Sequence, residues 1–233
     1  IQQQILTKFC VAFWKNPKKT NLFVRMKYSS LVKRIAGEST EVWDIHNEAR
    51  KRFENGEDVL MLSIGEESDE TTPVLIQQEA IASIQRGRHH YTQVVGQDNL
   101  RKAIAKRHQQ RTSQRVKIEN VCIFSGAQNA LFSVCLCLLE KGDEVIVPEL
   151  FYATYPATLT AGGATFTAIP TNAESGFQPD PKSISKAINS KTRAILLNSP
   201  NNPTGTVYSP ETLKEILKLC RAQKIWVISD EVY

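Results

Sequence analysis

From Val121 onward, short apolar runs alternate with stretches of helical length, and no other feature limits the possible folds as strongly. The runs at 121–124, 145–147, 165–169, 194–197 and 225–229 have the length of buried strands. The stretches at 127–140, 152–161, 181–189 and 210–223 read as helices. Strands separated by helices need crossover connections, which implies an α/β fold with a mainly parallel sheet and helices on both faces. In open sheets of this kind ligands bind beyond the carboxyl ends of the strands. That rule selects the turn at Ser125, the loop starting at Asn198, and Asp230.

Upstream, Val42, Ile45, Ala49 and Phe53 recur at helical spacing, and Gly56 is a suitable stop for a helix over 41–55. Residues 59–64 read as a short strand ending in Gly65. Thr72 and Pro73 open a helix through Arg86 that Gly87 closes, and a further helix at 97–110 carries Leu100, Ile104 and His108 on one side. With 41% hydrophobic and 23% charged residues the chain has the composition of a globular protein. Its apolar stretches, such as Val134 to Leu139, fall short of the roughly 18 residues a membrane span needs.

The net charge of +5 is local. Lys8, Lys15, Lys18, Lys19 and Arg25 lie in an acid-free leader, and the remainder is balanced, so the body offers no basic face for nucleic acid. Met26 is the first methionine, and residues 1–25 are expected to be upstream translated sequence or a non-native extension outside the fold. A transit peptide is the rival, although the segment is not rich in Arg or Ser. Cys10, Cys122, Cys135, Cys137 and Cys220 form no C-x-x-C pair and read as reduced, buried thiols of a cytoplasmic protein. His89, His90 and the cysteines lack metal-ligand spacing, so no metal is expected.

At the first selected place, a strand passes through Ser125-Gly126 directly into a helix beginning Ala127-Gln128. The unpaired N–H groups there would stabilise a phosphate, but a glycine that merely makes a tight turn looks the same. The second place, Asn198-Ser199-Pro200-Asn201-Asn202-Pro203-Thr204-Gly205, is a rigid loop with three asparagines at the ligand end of the sheet, and also an ordinary turn composition. The third delivers Asp230 to the end of an apolar strand, where a carboxylate can cap a helix, anchor a loop or hold a proton on a heteroaromatic nitrogen.

Taken together, N-x-P-x-N-P-x-G at 198–205 followed by D-E-x-Y at 230–233 resembles the signature of class I/II pyridoxal-phosphate-dependent aminotransferases of fold type I. Tyr91, Gly96 and Leu100-Arg101 are similar to a further segment of that family, and the likeness runs from Met26 to Tyr233. Within it, residues 26–35 and Trp43-Asp44-Ile45-His46 look most like arginine:pyruvate transaminases.

The resemblance implies transfer of an amino group from an amino acid to a 2-oxo acid such as pyruvate through pyridoxal and pyridoxamine phosphate. Gly126, Ala127 and Gln128 would hold the cofactor phosphate and Tyr152 would lie against its ring. Asn202 and Tyr233 would bind the ring hydroxyl oxygen, and Asp230 would pair with the ring nitrogen. Tyr91 would reach the cofactor of a second subunit in a homodimer, and Gly65 would lie near the substrate carboxylate. After Gly65 the chain departs from the family with Glu66-Glu67-Ser68-Asp69-Glu70, acids that either meet a cationic substrate or form a solvated loop.

By the same resemblance the Schiff-base lysine belongs beyond Tyr233, and Lys141, Lys191 and Lys224 are not convincing substitutes. The chain therefore reads as a leader (1–25), an arm with part of a small domain (26–70) and the first part of a large cofactor domain (71–233), truncated and inactive alone. Other readings on this scaffold are a C–S lyase, a cyclopropane-forming synthase, or the sensor domain of a transcription regulator. The last would need a fused DNA-binding module, and the leader contains no helix-turn-helix pattern.

Overall fold

A computed structural model describes residues 28–35, 41–65 and 71–233. The leader at 1–25, Cys10 and the acids at 66–70 lie outside the described residues. Among the described residues, five α-helices precede the sheet: α1 (Ser30–Ile35), α2 (Glu41–Glu54), α3 (Val74–Gln85), α4 (Asp98–Thr112) and α5 (Ala127–Leu138). Then β1 (Glu144–Pro148), α6 (Tyr155–Thr160), β2 (Thr165–Ile169), α7 (Pro181–Ala187), β3 (Thr192–Asn198), α8 (Pro210–Gln223) and β4 (Trp226–Asp230) alternate.

All strand pairs are parallel, in the order β2-β1-β3-β4. Successive side chains of a strand point to opposite faces, and both faces here are covered. Val145, Val147, Ala194 and Leu196 pack against Leu131 and Cys135 of α5 and Tyr155 and Leu159 of α6. Ile146, Ile195 and Leu197 pack on the other side against Ile184 of α7 and Ile216 and Cys220 of α8. Each fully buried aliphatic side chain contributes about 1.5–3 kcal/mol relative to exposure. The near-continuous apolar runs that marked these strands are the mark of a sheet buried on both sides.

The strand order also locates the site. The chain leaves β1 toward β2, then returns across β1 to lay β3 and β4 on the other side. Connections therefore diverge between β1 and β3, and a crevice opens at their carboxyl ends.

Several expected elements differ. Residues 59–64 are not a strand. Leu60 and Leu62 are more than four-fifths exposed, and among the described residues no neighbouring strand completes a ladder with them. Residues 121–124 also stay out of the sheet, because Ile123 N–H bonds to the Val95 carbonyl (3.0 Å), a loop position. Gly96 makes that approach possible: a Cβ there would stand 2.4 Å from Ile123 Cγ1, and its φ is +102°. Helix α6 begins at Tyr155 instead of Tyr152, with Pro156 in its first turn where the missing N–H costs nothing. Cys135 and Cys220 are buried as expected, and burial pushes the Cys135 thiol up to about 11. Cys122 and Cys137 are exposed, contrary to expectation; Cys137, two residues beyond Cys135, falls on the opposite side of α5.

Among the described residues no helix is long and apolar enough to cross a membrane. Among the described residues no group of three His, Cys, Asp or Glu is placed to hold a metal ion.

Candidate functional site

The crevice beyond β1 and β3 widens into a cleft of about 980 Å³. One wall is the loop after β3, held by its own asparagines. Asn198 donates from Nδ2 to the Asp230 carbonyl (3.1 Å) and accepts the Asn202 N–H on Oδ1 (2.8 Å). Asn201 donates to the Leu150 carbonyl (3.1 Å) and accepts from the Thr204 N–H (3.1 Å) and hydroxyl (2.7 Å). Both are 5% exposed, so they shape the loop. Asn202 instead donates from Nδ2 to the Tyr233 hydroxyl oxygen (3.1 Å), which leaves that phenol's own hydrogen available to a ligand oxygen.

Asp230 ends β4 in register with Asn198. Its Oδ2 accepts a hydrogen bond of 2.6 Å from the hydroxyl of Tyr155, which is 2% exposed. Burial first, and then the bond to Asp230, push this phenol far above the ordinary tyrosine range, so it remains a donor. Tyr152 stands edge-on to Tyr155, with ring centroids 5.9 Å apart, and is half-buried in the cleft wall.

The start of α5 forms the opposite end. Gly126 caps the helix at φ +89°, an angle that favours glycine, and a Cβ added there would meet nothing within 4 Å. The backbone, not crowding, requires the glycine, and the space in front of the helix is open. The first-turn N–H groups have no intrahelical acceptor and carry the positive end of the helix dipole. The Gln128 side chain is already engaged: Oε1 accepts from the Thr154 hydroxyl (2.7 Å) and Nε2 donates to the Thr158 hydroxyl (2.5 Å). Gln128 thus ties α5 to α6 and offers a ligand its backbone N–H.

The remaining wall comes from the leading part of the chain. Trp43 and His46 of α2 line it with Ser63, Ile64 and Gly65, and His46 Nδ1 lies 2.8 Å from Ser63 Oγ. Of the residues singled out from the sequence, Gly65, Ala127, Gln128, Tyr152, Asn202, Asp230 and Tyr233 meet in this one cleft. Gly126 sits one residue behind it, and Tyr91 is fully exposed outside it. Tyr155, Thr154 and Thr158 were missed; a Tyr-x-x-Tyr spacing at 152–155 was the available signal. No lysine is among the described residues lining the cleft. The arrangement suits a flat ligand with an anionic group at the α5 end, an aromatic platform at Tyr152 and a protonated nitrogen facing Asp230.

The sequence family described as aminotransferase class I and II matches residues 57–233. The chain is similar to the arginine–pyruvate transaminase AruH of Pseudomonas aeruginosa, 45% identical over 208 residues that cover 89% of this chain and 53% of that protein. It is 36% identical to an aspartate aminotransferase of Thermotoga maritima, over 83% of this chain and 51% of the relative. Among solved structures, the aspartate aminotransferase from Thermus thermophilus with maleate superposes with a TM-score of 0.84 at 30% identity, over 89% of this chain and 54% of that one. The chain spans about half the length of the curated relatives it matches.

Proposed function

The chain belongs to the class I and II aminotransferases, and from that membership we propose that it forms the cofactor-holding part of a pyridoxal-phosphate-dependent transaminase. The donor is an amino acid such as arginine and the acceptor a 2-oxo acid such as pyruvate, a choice supported by the name of the 45% identical relative and by residues 26–35 and 43–46. The observation that carries the reading is the convergence on one cleft of the α5 start, Tyr152, Asn202 with Tyr233, and Asp230.

The residues fit the cofactor in charge and shape. When bound, pyridoxal phosphate supplies an electron sink that stabilises negative charge at the substrate Cα. The N–H groups of Ala127 and Gln128, beyond the Gly126 turn, hold the phosphate. Tyr152 offers its ring as a platform, and Asn202 and the free hydrogen of Tyr233 orient the ring hydroxyl oxygen. The Asp230 carboxylate would keep a proton on the ring nitrogen, because a neighbouring negative charge favours the cationic form. Gly65 leaves room for the substrate carboxylate beside α2, and Tyr91 serves a neighbouring subunit of a homodimer. Residues 26–70 act as the arm and part of a small domain, and 71–233 as the first part of the large domain.

The test is amino transfer by a protein of the relatives' length that contains this sequence, with arginine, alanine or aspartate as donor and pyruvate or 2-oxoglutarate as acceptor. The expected products are a 2-oxo acid and a new amino acid in equal amounts, with D230A lowering kcat/KM by roughly 100-fold, about 2.7 kcal/mol. Ammonia released without an acceptor would instead identify a lyase. Residues 1–233 alone, whose described cleft lining contains no lysine, are expected to bind the cofactor without borohydride-trapped labelling and without turnover.

A further inference from the structure

Helix α6 joins two parts of the cleft that the proposed reading uses, the α5 start and Asp230. At its start, Thr154 and Thr158 clamp the Gln128 amide of α5. At its far end, Arg34 of α1 donates from Nε to the Thr160 carbonyl (3.0 Å) and from Nη2 to the Ala161 carbonyl (2.9 Å), covering acceptors that a helix terminus leaves open. Between these ties stands Tyr155, packed among Val145, Val147 and Leu196, with its hydroxyl as the single polar atom of a ring in the apolar core. That hydroxyl is aimed at Asp230 Oδ2, 2.6 Å away.

We propose that Tyr155 is a positioning residue that fixes the Asp230 carboxylate, so that Oδ2 is held by the phenol and the other oxygen is presented to the nitrogen of a bound pyridine ring. The proposal rests on the cofactor reading above. A carboxylate at the end of a strand turns readily about its Cβ–Cγ bond, and one strong donor removes that freedom. A phenol O–H to a carboxylate is a short, charge-assisted bond. Its donor cannot drift, because both ends of α6 are tied and the ring is enclosed. The phenol's raised ionisation range keeps the proton on Tyr155 at every pH where the carboxylate acts. Asn198 contributes differently: it holds the Asp230 carbonyl and so fixes the backbone, leaving the side chain to Tyr155.

The experiment is a double-mutant cycle on binding of pyridoxine 5′-phosphate, which has the ring nitrogen and phosphate but no aldehyde, so that no lysine is needed. Wild-type protein, Y155F, D230A and the double variant are compared by calorimetry, with thermal melting to verify that each folds. Y155F is expected to raise Kd about 5- to 10-fold in the wild-type background, or about 1–1.4 kcal/mol, and less than 2-fold when Asp230 is already Ala. A packing role would give the same loss in both backgrounds, and that result, or an unchanged Kd in Y155F, overturns the proposal alone. Equal binding by wild type and D230A would overturn the assignment of Asp230 and the proposal with it. If Y155F does not fold, D230N supplies an independent arm through alkaline titration of labelled tyrosine by NMR. Losing the charged acceptor should bring Tyr155 ionisation to lower pH, and an unmoved titration counts against the bond.

Discussion

Strand β3 and helix α3 are both rich in aliphatic residues, yet they live in opposite surroundings. Ala194, Ile195 and Leu196 are 0% exposed, whereas Leu75 is 80%, Ile76 60% and Ile84 65% exposed. No residue of α3 is buried. The difference shows that hydrophobicity does not bury a side chain; a complementary surface does. Around β3 that surface is complete, with two strands and helices on both faces. Around α3 it is lacking among the described residues, and exposed apolar side chains grouped on one helix commonly mark an interface. A similar contrast runs through the cleft, where one wall stands on the packed sheet and another on α2 and residues 63–65, which are largely exposed.

The comparison breaks most visibly at β3. Replacing Ile195 with alanine should cost about 2–5 kcal/mol in urea denaturation, because the deleted atoms leave a cavity between two covered layers. A cost below 1 kcal/mol would mean that the sheet region is far less tightly packed than its burial indicates.

A smaller effect should appear at high pH, again on the sheet side. Burial raises the Tyr208 phenol to about 12, and burial together with Asp230 raises that of Tyr155. Both folded values exceed the unfolded one of about 10. Their contribution to stability is therefore complete below that pH and declines above it, where the unfolded chain ionises and the folded one does not. Denaturation midpoints at pH 8 and pH 11 measure it, and Y208F should flatten the decline. An unchanged pH dependence in Y208F would remove that residue from the explanation.

The smallest effect belongs to α3. Ile76→Ser should change stability by less than about 0.5 kcal/mol at low protein concentration, as expected of a side chain with no packed neighbours. A cost that grows with protein concentration would show that a second copy covers this face, and the contrast with β3 would then hold only for the single chain.

The elements that were legible in the sequence are those whose pattern and partners agree. Residues 194–197 are apolar at every position because both faces of β3 are covered, and β3 pairs in register with β4 from Ala194 with Trp226 to Asn198 with Asp230. Helix α8 was readable to the residue, since Ser209 caps it by accepting the Thr212 N–H, Pro210 opens it, and Lys224 in a left-handed conformation closes it. Residues 59–64 have the same local pattern but no ladder, and a ladder is a property of two segments. Around the cleft, the places of Gly126, Asp230 and Asn202 were recoverable from turn chemistry, strand ends and motif likeness. Tyr155 was not, because its role depends on an oxygen 75 positions away that tertiary packing brings to its hydroxyl. The asparagines show the same limit: three are alike in sequence, and only the fold separates the two that brace the loop from the one that faces Tyr233.

The strand order has a consequence for how the molecule is assembled during synthesis. Strand β1 can pair with β2 as soon as Thr165 to Ile169 have emerged, since Glu144 meets Thr165 in that ladder. Its other edge must wait for β3, where Val145 meets Ala194, after the whole of α7 has been made. Until then Val145, Ile146 and Val147 present an open, apolar edge to any strand that passes, the situation in which nascent chains pair wrongly. The cleft does not exist in that interval, because its central crevice is the boundary between β1 and the late-arriving β3. On the proposed function, the cofactor would be captured only after assembly, once the β1–β3 junction closes and Asp230 arrives with β4.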